Sequence, residues 1–193
     1  MAFLQWRAML LSAMSRKKLD VQLDAEEAFC RTISLGQVPR KGLTEPSHSP
    51  NGQGPRRYQA YEWVEVCYHV FATHILNRIP YLPLDETLRH SADSQVDVGP
   101  NPRQFLQSHF GSHMMGRRFF LTEHNLCGMG TGCLLPDDVI ILPLGCRTPI
   151  LIRREGKARY RFVGDVYLDG YMDGKGTKQM EAGERQLEKF VLV

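Results

Sequence analysis

The side chains of this sequence with chemistry to offer are histidines, arginines, tyrosines and aspartates placed near apolar residues. His74 falls on the apolar side of a strong helical pattern, and His113 precedes Met114-Met115, where the pattern changes from helical to extended. Arg118, Asp165, Tyr167 and Asp173 lie in the extended region that follows. Such groups can aim a hydrogen bond at a carbonyl, and a well-placed donor lowers a barrier substantially. Trp63, Phe71, Met114, Met115, Phe120 and Tyr171 would supply an apolar wall, methionine being suited to irregular gaps. This set can hold a flexible apolar molecule in a reactive conformer and activate one carbonyl, which is enough for a cyclisation or isomerisation without a cofactor. The plainer alternatives are a satisfied core histidine at position 74 and an ion pair between Arg117 or Arg118 and Asp165, Asp169 or Asp173.

Other chemistries lack their residues. Gly128-Met129-Gly130-Thr131-Gly132 has neither the third Rossmann glycine nor a Walker lysine, and reads as a glycine-rich turn. His124, Cys127, Cys133 and Cys146 lack the close Cys-x-x-Cys pairs of structural zinc sites, so they read as buried, inert cysteines, and no metal or other cofactor is expected. There is no nucleophile elbow. The net charge is +3, with basic pairs at Arg56-Arg57, Arg117-Arg118 and Arg153-Arg154 but no basic stripe, so nucleic acid is not an expected partner. The five cysteines give no disulfide framework and suit a reducing, cytoplasmic setting. The apolar run from Phe3 to Met14 is interrupted by Arg7 and too short to span a bilayer. The expected partner is a small apolar organic substrate, with a homodimer left open.

The elements that must position these residues follow from periodicity. Phe3, Trp6, Leu10 and Ala13 predict a helix over 2–14, and Asp24 predicts an N-cap for a helix ending near Gly36. Residues 39–57 are rich in Pro, Gly and Ser and predict a mobile loop or lid. Residues 58–78 predict the main helix, with Trp63, Val66, Cys67, Val70 and His74 on one face and Val64, Tyr68, Phe71 and Ile75 widening it. Residues 84–100 read as loop, and 105–110 as a short helix. From Gly116 the period becomes strand-like: 118–122, a central buried strand over 139–144, 149–153, a turn at 154–157, then 160–163, 166–168 and a last strand at 190–193. Residues 174–186 read as a charged, exposed segment. The fold class is α+β, with N-terminal helices (1–115) packed on a small C-terminal antiparallel β-barrel or bent sheet (116–193).

The order of residues in the second half resembles the C-terminal region of fungal heterokaryon-incompatibility (HET) proteins. The matching positions are Arg117, Arg118, Phe120, Thr122, Gly128, Gly130, Asp138, Gly145, Pro149, Arg153, Tyr160, Val163, Gly164, Tyr167, Gly170, Met172, Asp173 and Gly174. Upstream, Ala28-Phe29-Cys30-Arg31-Thr32 is similar to the family's Phe-Trp-Arg-Thr-Leu segment, with Cys30 where tryptophan is usual. Asp165, Asp169 and Lys175 depart from the family's Glu, His and Glu, and Asp137 from its Gly. The family's signalling module has no expected counterpart here. Two functions of different kinds are expected, the leading one argued from the residues and the alternative from the resemblance. One is a cofactor-independent cyclase or pericyclase of the Diels–Alder type, using the residues named above on a fungal metabolite. The other is a non-catalytic interaction module of self/non-self recognition.

Overall fold

The computed structural model describes residues 1–17, 22–40, 57–99, 101–172 and 174–193. The expected lid at 39–57 lies almost wholly outside the described residues, as does Asp173. The chain forms two compact units, Met1–His113 and Met114–Val193.

The first unit is helical. Helix α1 (Ala2–Lys17) buries Phe3, Trp6 and Leu10, one per turn along a single stripe. Helix α2 (Gln22–Ile33) starts before Asp24, so Asp24 is a first-turn residue and not the N-cap; its carboxylate still meets the positive end of the helix dipole. At the other end, Leu35 (φ 51°) and Gly36 (φ 72°) are left-handed. Their amides reach back to Thr32 and Arg31 carbonyls at 3.0 and 2.7 Å, which stops the helix.

Helix α3 (Ala60–Arg78) opens where the Gln59 amide donates to Glu62 Oε2 at 2.9 Å. It buries nine side chains on nearly every side, so it is the axis of this unit. The Trp63 ring stacks on Phe110 at 5.5 Å, Phe71 stacks on Phe3 at 4.2 Å, and Phe71 meets Phe110 edge-on at 4.9 Å. The segment expected as loop contains helix α4 (Glu86–Asp93), because Asp85 caps it by accepting from the Leu88 amide at 3.0 Å. Only Leu88 of this helix is buried, and its eight residues are shorter than the stretch over which a helical period is read. Pro102 opens helix α5 (Pro102–Leu106), a π-helical turn follows at Gln107–Gly111, and helix α6 (Ser112–Met114) ends the run.

The second unit is a six-stranded sheet with the path β1-β2-β5-β4-β3 and β6 beside β5. The strands are β1 (Arg117–Leu121), β2 (Cys127–Thr131), β3 (Val139–Ile141), β4 (Ile150–Glu155), β5 (Arg159–Leu168) and β6 (Val191–Leu192). Neighbours along the path are antiparallel, whereas β6 runs parallel to β5; among the described residues the sheet does not close. Phe120, Leu151, Val166, Leu168 and Tyr171 form the core of one face, with Leu126, Leu134, Ile140 and Val163 packed against it. Helix α7 (Lys175–Glu181) occupies part of the stretch expected as merely charged and exposed.

Two expectations are corrected here. The glycine run 128–132 is a turn only at Gly132: Gly128 and Gly130 lie inside strand β2, where neighbouring side chains fill the space a Cβ would need. The apolar run 139–144 is not a central strand: β3 is three residues long, lies at a sheet edge, and is only partly covered. An apolar sequence records burial in some environment, but not a place in the strand order.

Candidate functional site

Two clusters of charge were not assigned a role by sequence. In the helical unit, Arg7 is buried, the residue that interrupts an otherwise apolar stretch. Its guanidinium pairs with Asp85, lies 3.8 Å from Glu26, and sits 5.0 Å over the ring of Tyr68. Burial pushes the Tyr68 hydroxyl up, with Cys30 and Glu26 adding to the effect, so it stays protonated. Asp85 thus holds the start of α4 and the buried cation of α1 together.

In the sheet unit, Arg153 of β4 grips Asp138, just ahead of β3, with two bonds of 2.7 and 2.9 Å. The same guanidinium donates to the Cys133 carbonyl at 2.8 Å, and Asp138 accepts from the Leu135 amide at 2.9 Å. The Asp138 side chain is only 2% exposed. The hydrogen bonds from Arg153 hold its carboxyl below the usual range, against the opposing effect of burial. The arrangement ties the 132–138 turn to the sheet. Both residues belong to the family-like pattern, and that pattern was the available signal; pairing them required the fold.

The residues proposed from sequence are distributed over both units. His74 on α3 is half-buried, and burial together with Arg78 and Arg103 pushes its pKa down. His113 on α6 is half-buried, with Nδ1 2.8 Å from the His109 carbonyl. Trp63 and Phe71 are locked in the aromatic core of the helical unit. Met114 is half-buried and Met115 is 80% exposed. In the sheet unit Arg118 is exposed, with Nη1 3.4 Å from the Leu134 carbonyl. Asp165 is exposed and pairs with Arg117 at 3.1 Å, so the arginine that meets an aspartate is 117. Tyr167 is buried and donates to Asp169 Oδ1 at 3.1 Å. Phe120 and Tyr171 are core residues, and Lys175 Nζ lies 4.9 Å from the Tyr171 ring centre.

Within the sheet unit the geometry brings Arg117 to Asp165 and Tyr167 to Asp169. Within the helical unit His74 and His113 have separate surroundings: the nearby cations Arg78 and Arg103 act on the first, and the His109 carbonyl binds the second. Of the cysteines expected to be buried and inert, Cys127 is buried but Cys133 and Cys146 are exposed, because they sit in turns at the ends of β2 and β4. Among the described residues no three His, Cys, Asp or Glu side chains come together to hold a metal ion. No helix among the described residues is long and apolar enough to cross a membrane.

Comparison with known proteins follows the same line. Residues 104–193 match the Het-6 beta-barrel domain. Over 66 residues the chain is 39% identical to heterokaryon incompatibility protein 6, OR allele, of Neurospora crassa. The aligned stretch is 33% of this chain and 10% of that protein, so the chain spans about a tenth of the length of this curated relative. No solved structure matches the chain. The C-terminal segment of this α+β chain is therefore similar to the Het-6 beta-barrel domain of heterokaryon-incompatibility proteins.

Proposed function

We propose that the chain is a non-catalytic interaction module, whose sheet unit presents a surface to a partner protein in fungal self/non-self recognition. The observation that supports this most is the Het-6 barrel match over residues 104–193, together with similarity to a protein named for heterokaryon incompatibility. The chemistry agrees with it. Phe120, Tyr167 and Tyr171, chosen as wall and donor residues for a cyclase, are spent on core packing and an internal hydrogen bond. Arg117 and Asp165 neutralise each other. No observation in the fold or the comparisons favours the cyclase over this reading.

The test is affinity capture from a filamentous-fungus extract, followed by reconstitution with the purified candidate. The intact chain should retain a protein with saturable, one-site affinity. A Gly128→Val control, in which the added side chain collides with Phe120 in the core of the sheet unit, should not. Equal retention by both proteins, or no protein partner alongside conversion of an organic metabolite, would overturn the reading.

A further inference from the structure

The hairpin joining β4 and β5 carries five cations in nine residues, Arg153 to Arg161, against one carboxylate, Glu155. In sequence these charges look scattered. The strand register stacks them: Arg153 faces Arg161, Arg154 faces Tyr160, and Glu155 faces Arg159. Like charges directly opposite one another repel, and two carboxylates relieve the pair. Arg153 is held by Asp138, and Arg161 Nε meets Glu155 Oε1 at 3.1 Å. Both nearby acids are then committed. Arg154, Lys157 and Arg159 are exposed and have no carboxylate partner among the described residues; Arg154 only donates to the Lys157 carbonyl at 3.1 Å.

An apolar strip lies beside these cations. Strand β6 pairs Val191 with Arg159 and Leu192 with Tyr160, and Val193 donates its amide to the Tyr160 carbonyl at 2.9 Å. Val191, Leu192 and Val193 are 49%, 49% and 61% exposed, and no described strand pairs with the outer side of β6. Glu188 and Lys189 ahead of it offset each other. Unpaired backbone, aliphatic side chains and three free cations at one end of a sheet suit one kind of partner. A nucleic acid would use several aromatic stacking surfaces; here Phe162 is 54% exposed, while the exposed row of β6 is aliphatic, so a peptide is the favoured occupant and the oligonucleotide is an arm of the test. A bilayer would leave the backbone edge unpaired.

We infer that the β4–β5 hairpin tip and strand β6 form a docking edge for an extended acidic peptide segment with alternating apolar side chains. The inference rests on the interaction-module reading and specifies its chemistry. The peptide backbone would extend the sheet at β6, and its carboxylates would meet Arg154, Lys157 and Arg159.

The test is fluorescence anisotropy of the full chain with a labelled octapeptide of alternating valine and glutamate. Parallel probes are its lysine counterpart, a single-stranded oligonucleotide and vesicles containing phosphatidylserine. The acidic peptide should bind in preference to all three, and the R154E/K157E/R159E variant should lose about tenfold in affinity or more. The charge-conserving R154K/R159K variant should keep binding, and circular dichroism should show all variants folded. Equal peptide binding by wild type and the charge-reversed variant overturns the inference, as does preference for the oligonucleotide or the vesicles. A partner captured from extract that the charge-reversed variant still retains overturns the edge and leaves the module reading standing. If that reading itself fails, no captured partner exists to be compared.

Discussion

Phe120 on β1 occupies the space that a side chain on Gly128, its cross-strand partner on β2, would need: a Cβ there would stand 2.1 Å from the Phe120 ring. The glycine is required by a neighbour and not by a turn. Gly130 is crowded in the same way by Val166, Leu151 and Leu134 at 3.0 to 3.2 Å. The two glycines allow the core of the sheet unit to pack over β2.

Gly128→Ala therefore forces Phe120 out of its place. We expect a loss of about 1–3 kcal/mol in a urea unfolding curve, as for other overpacked cores. Adding Phe120→Leu should recover part of the loss. If the two changes simply add, the contact is not the reason for the glycine.

The Asp138–Arg153 pair makes an acid-dependent contribution to stability. The native carboxyl is held below its ordinary value, so the unfolded chain, titrating near about 3.9, binds the proton first on acidification. The stabilisation is fully present above that pH and is lost as pH falls through the lower native value. Asp138→Asn should flatten the fall in urea midpoint across that acid range, leaving less stability at neutral pH. Asp138→Ala should cost about 1–3 kcal/mol at neutral pH, because the Leu135 amide and the guanidinium lose their acceptor. An unchanged acid profile would contradict the assignment.

Arg7→Ala leaves the Glu26 carboxylate buried without its cation and frees Asp85 from α1. We expect a loss of about 3–5 kcal/mol. The effect should appear in thermal unfolding followed by the near-ultraviolet signal of Trp6 and Trp63. A shift within error of wild type would show that the charge cluster does not hold the helices together.

His74 gives a second marker on the acid side, nearer neutrality. Burial, then Arg78 and Arg103, disfavours its charged form in the native protein. The unfolded histidine, titrating near about 6.5, takes the proton more readily, so stability should fall as pH drops below that value through the native one. Proton magnetic resonance should place the His74 titration below that of a free histidine, and His74→Gln should weaken the slope. A midpoint at or above the free value would contradict the environment described.

The sequence was most legible where one face of an element is buried and its ends are marked. Helix α3 fits that description, with Glu62 in its first turn and buried residues from Trp63 to Ile75, and its expected span agrees with the observed one within a few residues. The hairpin around Gly156, left-handed at φ 79°, was also plain. Helix α4 was hidden because its eight residues, with Leu88 alone buried, are too short a stretch to read a period from. Strand β2 was hidden because its glycines answer to cross-strand neighbours, Phe120 on β1 and Val166 on β5, which only the pairing identifies. The site was less legible than the fold. A list of donors says nothing about whether each is already used, and Tyr167 and Arg117 are occupied by Asp169 and Asp165. The cationic tip escaped notice because only the register places Arg153 opposite Arg161.

We propose that the sheet unit, and not the helical one, carries recognition. Hydrogen–deuterium exchange of the full chain with and without its purified partner tests this directly. We expect slowed exchange confined to residues 114–193, strongest in β5 and β6. Protection confined to the helical unit, residues 1–113, or none at any partner concentration, would contradict it.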